Sequence, residues 1–290
     1  MKHRYLVLFG IAAVLFNLNF NSGHASDSYK LKYKMAKGTV LHYNMDSKME
    51  SLQEMMGSEM ESNSKINAKI KITAEGENKD GNLTYLLVYE SMLFEMVSSM
   101  MDSTFKDPEG LIGKRVRKTI TPSGDQIESV ELDSIKLGLL AHAGGGLVSG
   151  REFFPNLPDS ELKMGEKVSV TDVDSLDTLG GTTVSKSEME FTFTGKETKF
   201  GYDCLKIDVK GTITLEGDGT MQGMKFFIEG DGDFQRTLYF APKEGLLVAA
   251  DSQTDMEMTA AITGQVSMTI PITQSMKSNI TLVGLTQSEK

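Results

Sequence analysis

Cys204 is the one thiol in a chain of 290 residues. A nucleophilic cysteine needs a base close by and an electropositive setting that favours thiolate. Histidine is scarce: beyond residue 25 only His42 and His142 remain. Cys204 opens an alternating stretch beside Lys206 and Asp208, and a small residue at a strand start explains it. Serine chemistry fares no better, because Gly146-Leu147-Val148-Ser149-Gly150 has the wrong spacing for a Gly-x-Ser-x-Gly elbow. The chain contains no His-Glu-x-x-His, and no glycine-rich phosphate loop precedes a helix. The expectation is a non-enzymatic protein without a cofactor.

Two acidic runs are the strongest polar feature. Glu229, Asp231 and Asp233 alternate with glycine, and Glu216 and Asp218 do the same 13 residues earlier. Hard cations such as Ca²⁺ take about 6–8 oxygen ligands, so five carboxylates converging across a hairpin would suit one. An EF-hand loop starting at Glu229 would need Gly at Phe234 and Glu at Phe240, and has neither. The alternative is a solvated strand face that protects a sheet edge. Methionine is abundant, 19 in all. Met92, Met96 and Met100 are spaced by four, as are Met45 and Met49, a spacing that suits soft Cu(I). Methionine also fills irregular cores and lines adaptable apolar sites. The weak ligand-site candidates are therefore Met92, Met96 and Met100, and the weak metal candidates Glu216, Asp218, Glu229, Asp231 and Asp233.

The elements that would position these groups read as long strands. Ile66, Ala68, Ile70, Ile72 and Ala74 alternate with Lys65, Asn67, Lys69, Lys71 and Thr73. A period of two puts the sets on opposite faces, as in antiparallel sheets with one wet side. The pattern recurs at Leu205, Ile207 and Val209, at Met189, Phe191 and Phe193, and at Val266, Met268, Ile270 and Ile272. Ile66, Ile70, Phe191, Phe193, Leu205 and Ile207 are expected to be buried. Asp80-Gly81, Pro122-Ser123-Gly124 and Pro242-Lys243-Glu244-Gly245 are turn chemistry. Ser91–Phe105 and Asp133–Ala143 show spacings that predict short helices, the second stopped by Gly144-Gly145-Gly146. Met45–Met60 fits a helix or a strand, and is read as a hairpin turning at Met56-Gly57.

Hydrophobic residues make up 39% and charged residues 24%, enough apolar material for a core. One cysteine excludes a disulfide framework and cysteine-rich metal sites. The formal net charge of −10 argues against nucleic acid as a partner, which demands a basic surface. Lys2, His3 and Arg4 precede the apolar run Tyr5–Phe16, and Gly23-His24-Ala25 offers a small-residue cleavage site. Residues 1–25 read as a secretory signal, since twelve apolar residues are too few to span a bilayer, which needs about 20. No cysteine stands at the cleavage site for lipid attachment. The mature chain is thus expected to be secreted or periplasmic and not membrane-spanning.

The halves of the chain resemble each other. Lys34–Val40 can be set beside Lys163–Val168, Ser64 beside Ser187, and Pro122 and Gly124 beside Pro242 and Gly245. A nearly constant offset suggests tandem duplication of one β-unit. The expected organisation is an N-terminal β-unit over 26–130, a helix and Gly-rich linker over 131–160, and a C-terminal β-unit over 161–290. The class is mainly β, two similar antiparallel units as a half-barrel or sandwich, with one or two short helices.

Three stretches carry a family resemblance: Tyr33–Tyr43, Gly113-Lys114-Arg115 before Thr121–Gly124, and Phe154–Pro158 before Leu162–Glu166. Together they resemble an uncharacterised family of exported bacterial proteins, a domain of unknown function. A tryptophan often ends the Gly-Glu strand start in such sequences, where Val168 and Val170 stand here. The resemblance implies a β-rich envelope or extracellular protein and supplies no site residue. Long one-sided strands with few helices to cover them point to an apolar partner, a lipid or acyl chain held by a curved sheet. The alternative is an envelope interaction module with a filled core; a hydrolase is disfavoured by the poor supply of histidine and cysteine.

Overall fold

The computed structural model describes residues 28–55, 57–99, 102–135, 150–178, 181–221, 224–264 and 267–286. The signal segment lies outside them, as do His142, Met100 and most of the second expected helix. Alternation becomes strand almost everywhere. The strands are β1 (Ser28–Tyr29), β2 (Val40–Met55), β3 (Ser58–Glu77), β4 (Leu83–Ser98), β5 (Asp102–Lys106), β6 (Arg115–Ile120) and β7 (Gln126–Glu131). The later ones are β8 (Leu162–Lys163), β9 (Lys167–Thr178), β10 (Gly181–Lys199), β11 (Tyr202–Met221), β12 (Met224–Ala241), β13 (Leu246–Thr263) and β14 (Met268–Thr286).

The expected helix over Ser91–Phe105 is instead the end of β4 followed by β5. Its Leu93–Val97 spacing is even, so it satisfies period two as well as one helical face. A bulge pairs Lys69 with Ser91 and Ile70 with Tyr89, leaving Glu90 as the extra residue. The bulge resets the alternation, and Met92 and Phe94 point inward. The helical piece among the described residues is a single 3₁₀ turn, Pro108–Gly110. Met45–Met60 forms the hairpin read from the sequence, with Gly57 at φ +76°.

Twelve strands form one antiparallel sheet in the order β7-β6-β4-β3-β2-β14-β13-β12-β11-β10-β9, with β5 beside β4. The last strand, β14, pairs with β2, the first strand of this sheet in chain order, so both halves of the chain share one sheet. β1 and β8 pair separately. The inward residues near one end of the strands form a single core that draws on both halves. All six residues expected to be buried belong to it.

Two irregular segments fill that end. Residues 31–35 bring Leu31, Tyr33 and Met35, and residues 153–157 bring Phe153, Phe154 and Leu157, all buried. The stretch read as linker therefore supplies core. The Tyr33 ring lies 5.1 Å from Phe154 and 5.6 Å from Phe240, and Phe154 lies 4.6 Å from Tyr85. These three steps connect β4 to β12. In a flat sheet five inter-strand spacings would separate those strands by about 24 Å, so the sheet curls around the rings. Tyr33 runs between the two proline turns: its N–H donates to Pro122 O at 2.9 Å, and the Lys34 N–H donates to Gly245 O at 3.1 Å.

The sheet edges β7 and β9 are not bonded to each other. Residues 150–152 cross between them. A Cβ on Gly150 would stand 2.9 Å from Leu87 of β4 and 3.5 Å from Lys118 of β6. The next residue, Arg151, bonds Asp172 at 2.8 Å and Asp174 at 3.1 Å on β9. The sheet is thus a gapped tube, its seam spanned by residues 150–152, which pack on β4 and β6 and form ion pairs with β9.

Candidate ligand-binding face

Beyond the filled end the strands continue. On β11–β14 their inward residues stay mainly apolar but lose their cover, while polar residues such as Ser185 and Ser187 of β10, Ser51 and Gln53 of β2 and Ser62 of β3 share the same face to either side. The core reaches Phe234, Met189, Val170 and Met96, which pack against it partly buried. Further along the same face Met49, Ile213, Leu215, Phe226, Ile228, Met256, Met258, Ile272 and Met276 are only half-buried. From Ser252 to Ile262 on β13 this wall runs roughly 33 Å at strand rise.

The acidic runs explain its shape. Glu216, Asp218, Glu229, Asp231 and Asp233 all point outward into solvent, and their glycines point inward. A Cβ on Gly211 would stand 2.9 Å from the Phe234 ring, one on Gly219 2.6 Å from Phe226, and one on Gly230 2.5 Å from Met258 Cγ. Aromatic and methionine side chains of the neighbouring strand therefore lie down over bare backbone. The glycines make the wall smooth and shallow.

The structure places the candidate residues as follows. Met92 is 3% exposed and belongs to the core, so it does not border an opening. Met96 packs beside it, half-buried. Four residues of strand separate the two by about 13 Å, so the helical proximity that suited Cu(I) is absent. Glu216 does face Glu229 across the β11–β12 hairpin. The other three carboxylates spread along the strands, at about 7 Å per alternate residue. Among the described residues no group of three or more such side chains could hold a metal ion. Cys204 sits in a small outer cluster with Tyr239, Ala241, Val248 and Ala249. Its thiol donates to Tyr202 O at 3.6 Å, and burial raises its pKa to about 11. It stays protonated at neutral pH.

Sequence reasoning missed the polar layer between filled core and open wall. One inward row passes, strand by strand, through Phe94, Ile66, Ser47, Ser278, Ser252, Arg236, Val209 and Phe191. Ser252 Oγ and Ser278 Oγ are 2.7 Å apart. Arg236 lies over the Phe234 ring, 5.8 Å from its centroid. Burial lowers its pKa, an effect that the charge of Glu152 opposes. Near the seam Lys118 is 3% exposed, donates to Gln126 Oε1 at 2.8 Å, and has its pKa lowered to about 8, chiefly by burial. The signal was legible as a break in alternation: Arg236 and Lys118 occupy positions that period two assigns to the inner face.

Troughs of about 680 and 640 Å³ run across β9–β14 and β2, lined mostly by outward polar and charged residues such as Asp208, Lys210, Asp251 and Lys277; Arg236, Ser252 and Ser278 also belong to the lining of the first, and Met189 and Phe234 to that of the second. Met49, Met256, Met258 and Met276 of the open wall line neither trough.

No protein-family model and no curated sequence matches the chain. Among solved structures, one of lipovitellin, described for its lipid–protein interactions, aligns over 89% of this chain at 13% identity with a TM-score of 0.47. The chain spans about a quarter of that protein, 26%. An exported protein with a YmcC-like fold from Bacteroides fragilis is covered completely, 100%, by 89% of this chain, at 10% identity and a TM-score of 0.27. The lipoprotein YmcC from Escherichia coli aligns at 12% identity over 79% of this chain and 85% of its own, with a TM-score of 0.26.

Proposed function

We propose that this is an exported, non-enzymatic binding protein whose open inner wall holds an acyl chain. The observation that carries the reading is the continuation of an inward apolar stripe on β11–β14, rich in methionine, past the point where the core ends. Soluble proteins rarely leave a contiguous apolar face uncovered without a partner for it. Methionine suits chains of varied length because its side chain is flexible and polarizable. The second reading, an interaction module, draws on the aromatic filling of the other end, which leaves no room for cargo there.

Titration with a fluorescent C16 fatty acid separates the two. The acyl-chain reading expects micromolar binding by the wild type and its loss in the double variant Met256→Glu/Met258→Glu. Both sites are half-exposed, so the variant should melt within a few degrees of the wild type. Absence of binding by the wild type at micromolar protein, together with a native mass spectrum of host-purified protein free of adducts, overturns the reading in favour of the module.

A further inference from the structure

The open wall begins at a cation. Arg236 points to the inner face of β12, with Val209 opposite it on β11 and Ser252 opposite it on β13. Leu238, on its core side, is fully buried, and Phe234, on the other side, starts the exposed wall. Among the described residues no acceptor is hydrogen-bonded to its guanidinium; its contact is the Phe234 ring. The other cations of the layer are engaged, Arg151 by Asp172 and Asp174, and Lys118 by Gln126. The charge of Glu152 acts favourably on Arg236. Arg236 is half-buried, so its guanidinium keeps some access to solvent. An anion arriving at its five donors would replace that water with charge-assisted hydrogen bonds, in bidentate geometry if the anion is a carboxylate.

Two hydroxyls extend the same row. In the Ser252–Ser278 pair one hydroxyl donates to the other, which leaves the second proton available to a ligand oxygen. Resting on the acyl-chain reading above, we propose that Arg236 with Ser252 and Ser278 forms the head-group subsite for a long-chain monocarboxylate, whose tail lies along the methionine wall toward the strand tips. One uncommitted cation matches one negative charge. A phosphate head, with more charge and more acceptors, would call for a second free cation, and none lines this row.

The test compares hexadecanoate, hexadecanol and hexadecyl phosphate on the wild type, Arg236→Met and Ser252→Ala, by displacement of a fluorescent C16 probe. The wild type should bind hexadecanoate about tenfold to hundredfold more tightly than hexadecanol, the range of charge-assisted hydrogen bonds. Arg236→Met should bring the two to equality with hexadecanol affinity unchanged, which also shows that the variant is folded. Ser252→Ala, a smaller change on the same row, should reduce the preference severalfold. If hexadecanol binds and the wild type shows no carboxylate preference, or if the preference survives Arg236→Met, the subsite is overturned while the wall reading stands. Tighter binding of hexadecyl phosphate than of hexadecanoate, lost in Arg236→Met, overturns the monocarboxylate assignment. Failure of all three ligands overturns the wall reading itself.

Discussion

Lys118 shows what a single misfit residue does to a β-tube. Its backbone position on β6 turns it inward, and residues 150–152 close over it. Burial lowers its pKa from the ordinary 10.5 to about 8, with Glu152 and Asp174 opposing the shift and Arg151 adding to it. A lysine whose folded pKa lies below its unfolded one penalises the native state while both forms are protonated. That penalty is present below about pH 8 and is relieved as pH rises toward the unfolded value, because the unfolded chain then binds more protons. Its full size is on the order of 3 kcal/mol. Lys118→Met should therefore be at least as stable as the wild type at pH 7, consistent with apolar replacement of buried ions. Thermal melts between pH 7 and 9.5 should show the gap narrowing as pH rises. A gap independent of pH would contradict the assignment.

At the scale of elements, the filled end depends on turns that meet the two irregular segments closely. Gly124 has φ +101°, and a Cβ there would stand 2.9 Å from both Pro155 O and the Tyr33 ring. Gly57, at φ +76° in the β2–β3 hairpin, has open space around it. Gly57→Ala should cost only the left-handed backbone penalty, roughly 1 kcal/mol. Gly124→Ala adds a collision with backbone that cannot step aside. It should cost at least about 1–2 kcal/mol more, measured by urea denaturation of the two variants side by side. Equal midpoints would mean that the Tyr33 and Phe154 segments are not seated against that turn.

For the whole molecule, one sheet and one core join what the sequence presents as two units. β14 pairs with β2 along almost its whole length, and Tyr33 bridges Phe154 and Phe240. Unfolding should be one cooperative calorimetric transition, with calorimetric and van't Hoff enthalpies equal. Residues 26–130 expressed alone should lack a stable fold, because β2 would expose its β14 ladder as a bare edge. Two separated transitions would show that the halves hold independent cores.

Strand identity, the inward and outward sets, the β2–β3 hairpin and the proline turns were all legible in sequence. They depend on local periodicity and on backbone preferences of single residues, which no distant contact overrides. The reading failed at Ser91–Phe105, where an even apolar spacing serves helix and strand alike, and the bulge at Glu90 was settled by the β3 partner. It also failed at Phe153–Leu157, whose burial depends on a tube that exists only after β4 and β12 have curled toward each other. The candidate site has the same origin. Alternation alone marks Arg236, Ser252 and Ser278 as inward-facing. That they share one row, at the level where the core ends and the wall opens, follows from strand register, and register is fixed by pairing between residues far apart in the chain.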